Sequence, residues 1–172
     1  MLTQTKWVER KFNFDFPVGV FPSILERLRG TPARLDEVIN TLPQGLLSVR
    51  VNNGWSIQEH AGHLLDLEAL GEQRLLDFQT GAAVLTPADM TNRKTFEANY
   101  NSASTRDIMG RFRMTRHELV ARLERLNEEE VGRSSLHPRL NIPMRVIDWC
   151  YFMAEHDDHH IASMVALGRR RS

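Results

Sequence analysis

The stretch "EHDDHHIASM", Glu155 to Met164, places three histidines and three acids inside a run that otherwise reads as helix. That density has three readings: a metal site, acid-base chemistry, or a solvated helix face. His156 and His160 stand four residues apart, so on a helix they share one face about a turn apart and can grip one ion. His159 points about 100° away from His160 and does not join them easily. The helix around this stretch opens at Pro143, after "HPRLN", and closes at Gly168 in a basic cluster, "GRRRS", suited to the negative end of a helix dipole.

A second histidine segment lies upstream in "WSIQEHAGHLLDLE", residues 55–68. Ser56 and Glu59 have the spacing of a capping box, with Trp55 before the cap, so a helix begins here and runs to about Thr80, where Gly81 ends it. His60 and His63 are three apart on it, and Asp66 follows one turn on. Periodicity alone leaves open which of the two histidines, if either, is a ligand.

Two further helices complete the pattern. "TPARLDEVINTL" places Leu35, Val38, Ile39 and Leu42 at spacings of three and four, with Thr31 as cap and Pro32 at the first helical position. A short helix over Pro22 to Arg29 precedes it, and Gly30 separates the two. Residues from about Thr105 to Leu126 align Ile108, Phe112, Leu119, Leu123 and Leu126 on one side, leaving the arginines of "RFRMTR" and "ARLER" to pair with acids on the other. Four long helices without a convincing period-2 run predict an all-α four-helix bundle formed as one domain over 1–172. Residues 1–21 alternate aromatic and polar groups, "WVERKFNFDFPVGVF", and read as an extended N-terminal arm that packs its aromatics against the body.

Composition narrows the function classes. Lys plus Arg equals Asp plus Glu at 22 each among 172 residues, so there is no electrostatic footprint for nucleic acid or an anionic membrane. No apolar run approaches a membrane span and no signal-peptide core is present, which places the protein in the cytoplasm. The single Cys150 sits in the apolar run "VIDWCYFM", reading as a buried structural thiol and excluding both an intrachain disulfide and a multi-cysteine zinc site.

"NGWSIQEHAGHLLDLE", with a histidine eight residues after the tryptophan, followed by "HPRLNIPMRVIDWCYFMAEHDDHHIASM", resembles the DinB-like superfamily of metal-binding four-helix bundles, and within it the YfiT-like branch. The likeness extends more loosely from "FPVG" through "GTPARLDEVINTLP" to the C-terminus. It implies a metal triad of His63, His156 and His160, holding one divalent ion, zinc or nickel, with a position left to solvent. His60 then becomes a core neighbour or a partner of a ligand. Glu59 and Asp66, one turn either side of His63, are candidates to accept a ring N–H or to act as a base, as is His60, although Glu59 also has its capping role. Glu155, Asp157 and Asp158 read as solvated acids, with support of a ligating imidazole by one of them as the alternative. Tyr100 or the neighbouring Asn99, together with Arg139 and Arg145, are candidates to contact a substrate, whereas His117 and His137 read as surface residues.

The branch implies a metal-dependent enzyme acting on a small molecule. Transfer of a low-molecular-weight thiol, of the bacillithiol or mycothiol type, onto an electrophile leads. Hydrolysis by a metal-activated water is the alternative, and a non-catalytic module that holds a metal or small ligand is the third reading. A homodimer is expected from the packing habits of such bundles.

Overall fold

The computed structural model describes residues 3–169; Arg170, Arg171 and Ser172, from the basic cluster at the end, lie outside them. Four long helices carry the architecture: α1 (Phe21–Asn40), α3 (Ile57–Thr80), α5 (Thr105–Leu123) and α7 (Val146–Arg169), with short helices α2 (Gln44–Leu47), α4 (Arg93–Glu97) and α6 (Glu128–Gly132) in the connections. Helix α3 starts and stops as its sequence dictates. The Ser56 side chain accepts from the Glu59 backbone N–H, the Glu59 carboxylate accepts from Ser56 N–H, and Gly81 takes the left-handed conformation at φ 71° that ends the helix.

The main packing pairs are α1 with α7 and α5, and α3 with α5 and α7. Sequence neighbours α1 and α3 therefore stand across the bundle from each other, as do α5 and α7, and both connections between them must cross an end of the bundle. Two apolar cores fill it. One gathers Leu28, Leu75, Leu119, Val120, Leu123, Trp149 and Phe152; the other gathers Leu35, Leu64, Tyr100, Ile108, Phe112 and Met164. The N-terminal arm behaves as its alternation predicts: Trp7, Phe12, Phe14 and Phe16 lie against the first core, and rings of Trp7 and Phe12 meet Phe152 at 4.9 Å.

Three features depart from the sequence reading. First, α1 is continuous from Phe21 to Asn40, with Pro32 in its interior and no break at Gly30. A proline removes the bond to the carbonyl four residues back, here that of Leu28, and Arg116 Nη1 donates to that oxygen at 3.4 Å. Second, Pro143 does not open the last helix. It lies in β2 (Ile142–Arg145), which pairs antiparallel with β1 (Ser134–His137) in a two-stranded hairpin, His137 opposite Ile142. The segment after α3 runs beside β1, with Leu85 N–H donating to Leu136 O at 3.0 Å.

Third, Arg116 is not on the outer face of α5. It is 2% exposed and holds two buried carboxylates, Glu68 of α3 with Nε at 3.1 Å and Nη2 at 2.7 Å, and Asp157 of α7. Asp157 in turn accepts from the Thr31 hydroxyl of α1 at 2.7 Å. Glu155 and Asp158 are engaged too, by Arg10, Arg27 and Arg34. None of the three acids beside the histidines of α7 is a free solvated group.

Removing Arg116 strands two carboxylates in the interior, which costs on the order of 3–5 kcal/mol. Urea unfolding of Arg116→Leu is expected to show a loss of that size. A loss under about 1 kcal/mol, the scale of an exposed pair, would contradict it.

Candidate metal centre

Helices α3 and α7 bring three imidazoles to one point. One ring nitrogen each of His63, His156 and His160 lies within 4.8 Å of the others. The Nε2 atoms of His156 and His160 are 3.1 Å apart, close to the roughly 3.3 Å separating two nitrogens held 2.0–2.1 Å from a tetrahedral ion. His63 and His160 are buried and His156 is half-buried. Burial pushes the His63 imidazole down to about 4 and holds those of His156 and His160 well below their ordinary value, with the field of neighbouring imidazoles adding to the effect at the latter two. All three are neutral near pH 7 and carry the lone pair that a metal requires.

Each ring is oriented by what surrounds it. His63 Nδ1 lies 3.2 Å from the Thr95 hydroxyl, which donates to Asp66 at 2.9 Å; the ring proton then sits on Nδ1, and Nε2 presents its lone pair. Asp66 also accepts from the Tyr100 hydroxyl at 2.7 Å and faces Lys94 at 3.4 Å. Tyr100 can lie this close to α3 because residue 62 is glycine, where a Cβ would collide with its ring. His160 Nδ1 meets His60 Nδ1 at 2.8 Å. We assign His160 as donor and His60 as acceptor, an arrangement that leaves Nε2 of His160 for an ion. Burial, then the field of His63, pushes the His60 imidazole down to about 4, in keeping with an acceptor. Trp55 stacks on His160 and tilts over His63, while Trp7 of the arm sets its edge against His156 at 4.8 Å.

The triad opens onto a cavity of about 550 Å³ lined by Trp7, Trp55, Leu67, Leu70, Met90 and Phe152 among others, with exposed Val8 and Met90 at its rim. Such a concave, largely apolar chamber with a few polar groups suits a small molecule. His159 lines it as well, but its Nδ1 accepts from the Gln4 amide at 2.9 Å and its ring is turned from the triad's focus.

The other sequence candidates separate clearly. Glu59 is spent on the capping box and on Arg50, whose Nε donates to it at 2.9 and 3.0 Å. Asp66 acts on His63 through Thr95. Tyr100 does not line the cavity; its hydroxyl is committed to Asp66. Arg145 is tied to Asp148 at 2.7 Å and to the carbonyls of Phe14 and Phe16, so it anchors the arm and drops out of the substrate-contacting set. Arg139 does line the cavity, and so does His137, which is buried and not the surface residue its loop suggested. Arg74, Thr95 and Trp7 carry no motif signal. Burial pushes the Cys150 thiol up, leaving it a structural group.

The profile of the DinB superfamily matches residues 27–164, and the chain belongs to that superfamily. Among solved structures it is similar to YfiT from Bacillus subtilis, with a TM-score of 0.82 and 19% identity over 95% of this chain and 94% of that one. That protein is described as "a probable metal-dependent hydrolase with an unusual four-helix bundle topology". No curated protein sequence matches. Among the described residues, no helix is long and apolar enough to cross a membrane.

Partners that orient a ligating histidine typically contribute 10–100-fold in metal affinity. Thr95→Val is expected to weaken zinc binding by about that factor in competition with a chromogenic chelator, with the circular dichroism spectrum unchanged. An affinity within twofold of wild type would show that the His63–Thr95–Asp66 relay does not orient the ring.

Proposed function

We propose that the protein binds one divalent metal ion, zinc or nickel, through His63, His156 and His160 and acts as a metal-dependent enzyme on a small molecule. The observation that carries this reading is the convergence of three neutral imidazoles at the wall of a ligand-sized apolar cavity. Three protein ligands with a face toward open space is the pattern of a catalytic site, whereas a structural site closes with a fourth. An ion held there would lower the pKa of a water or thiol that reached it, deprotonating a thiol outright.

Between thiol transfer and hydrolysis, the surrounding acids favour transfer. Hydrolysis by a metal-activated water gains from a positioned general base, and the carboxylates named as candidates around the triad are engaged: Glu59 by Arg50, Asp66 by Thr95 and Tyr100, Asp157 by Arg116, and Glu155 and Asp158 by arginines of the arm and α1. His60 is occupied by His160, and His159 by Gln4. A thiol activated without a protein base fits this inventory. In the transfer, the thiol loses its proton to solvent, its sulfur forms a bond to the electrophilic carbon, and the leaving group departs with the electron pair. Trp7 and Trp55 exclude water beside the rings, and the apolar walls receive the electrophile. The description of YfiT favours hydrolysis as the second reading.

The test is a paired screen of zinc- and nickel-loaded protein. Bacillithiol or mycothiol with monochlorobimane is set against p-nitrophenyl esters, each with wild type and His156→Ala. Thiol conjugation that falls at least 100-fold in the variant is the expected result. Ester hydrolysis with no thiol conjugation, equally dependent on His156, would replace transfer with hydrolysis, and no activity dependent on His156 would remove the enzyme reading.

A further inference from the structure

The cavity carries a second polar cluster, away from the three imidazoles. The hairpin turn brings His137 and Arg139 to its wall, where Arg74 of α3 also lies. His137 is 2% exposed, and its Nδ1 accepts the Leu140 N–H at 3.2 Å. The ring proton is therefore on Nε2, and that buried donor has no partner. Nη2 of Arg139 is likewise buried and unpartnered. Arg139 makes no ion pair among the described residues; its guanidinium rests over the Phe152 ring at 5.6 Å. Arg74 is buried and spends Nε on the Thr86 carbonyl at 2.9 Å. Its nearest acid, Asp77, is occupied by Thr86 N–H at 2.7 Å and by Gln73.

Every unsatisfied group here is a donor, and the fixed charges are positive. Buried polar atoms are nearly always paired, so the two orphan donors, on His137 and on the Arg139 guanidinium, need explaining. No carboxylate in the cavity wall is free to neutralise them. Glu68 and Asp157 are held by Arg116, and Asp89 accepts from Thr91 and from the Arg93 backbone. The mutual proximity has an electrostatic signature: burial pushes the Arg74 guanidinium down to about 10 against the opposing field of Asp77, and the field of Arg139 adds to the fall. An anion would satisfy the geometry and the charge together, and a planar carboxylate matches a guanidinium best.

We infer that Arg74, His137 and Arg139 form a carboxylate-binding site in the shared cavity, so that the small molecule taken there is an organic acid. The inference deepens the proposed function, since it supplies the end of the substrate opposite to the one that would react at His63, His156 and His160. Phe152, which contacts both His137 at 5.3 Å and Arg139, lies one turn before His156 on α7. Four residues of helix rise by about 6 Å, so the side chains against which the two clusters pack lie on neighbouring turns of α7, and Trp7 touches both, 4.9 Å from Phe152 and 4.8 Å from His156.

Isothermal titration of hexanoate and of its neutral counterpart hexanamide tests this, with protein both metal-loaded and chelator-treated. Wild type is expected to bind hexanoate at least tenfold more tightly in both forms. Arg139→Gln should bring hexanoate to the level of hexanamide, Arg139→Lys should keep part of the preference, and His137→Phe should reduce it severalfold. Equal binding of the two probes by wild type, or a preference that survives both Arg139→Gln and Arg74→Gln, overturns the inference. So does a preference seen only with metal and abolished by His156→Ala, which would put the carboxylate on the ion and leave the metal reading standing. A preference in protein that takes up no metal supports the acid site and removes the triad reading instead.

Discussion

One guanidinium holds the bundle in register. Arg116 projects from α5 into the interior and bonds to Glu68 on α3, to Asp157 on α7 and to the Leu28 carbonyl on α1, so all four long helices meet on a single buried charge. Burying ions is expensive, and such networks often contribute more to specificity than to net stability. Here the register they set also places the three imidazoles. Glu68 stands five residues after His63, and Asp157 is the immediate neighbour of His156, so the contact that aligns α3 with α7 also aligns the three imidazoles. Pro32 belongs to the same device, because the carbonyl it leaves free is the one Arg116 reaches.

Around that frame the site is made neutral, apolar and tight. The imidazoles are kept uncharged by burial, and each of His63 and His160 has its remaining nitrogen engaged by a protein group. The choice of partner differs: His63 reaches a carboxylate through a hydroxyl, while His160 meets another neutral imidazole. Acids that would compete for protons or for the ion are tied down, Asp66 by Thr95 and Tyr100 and the others by arginines. Two tryptophans, one from the arm and one before the cap of α3, fix the rings from either side, and the hairpin and the segment after α3 complete the cavity wall.

Much of this was legible in the sequence. The capping box at Ser56 and Glu59 and Gly81 at the helix end bounded α3, the four-residue spacing of His156 and His160 marked one face of α7, and His63 came from the family resemblance. What escaped was set by contacts distant in the chain. Arg116 occupies the stripe defined by Ile108, Phe112 and Leu119, and an arginine in an apolar register was the available sign that it points inward. The hairpin strands are four residues each, too short for a period-2 pattern, and Pro143 mimicked a helix start. Trp7, Thr95 and Arg74 sit in no motif at all; only the fold brings Trp7 and Arg74 to the cavity and Thr95 to His63. Glu59 and Arg145 stand near the right places but are consumed by local partners, Arg50 and Asp148.

The central claim is that His63, His156 and His160 hold an ion. Metal content by plasma mass spectrometry, on purified wild type and on His63→Ala, His156→Ala and His160→Ala with His159→Ala as control, addresses it most directly. Near-stoichiometric zinc or nickel in wild type and in the control, lost from each of the three variants, is the predicted result. Protein that carries no metal, or that loses it only with His159, would contradict the account.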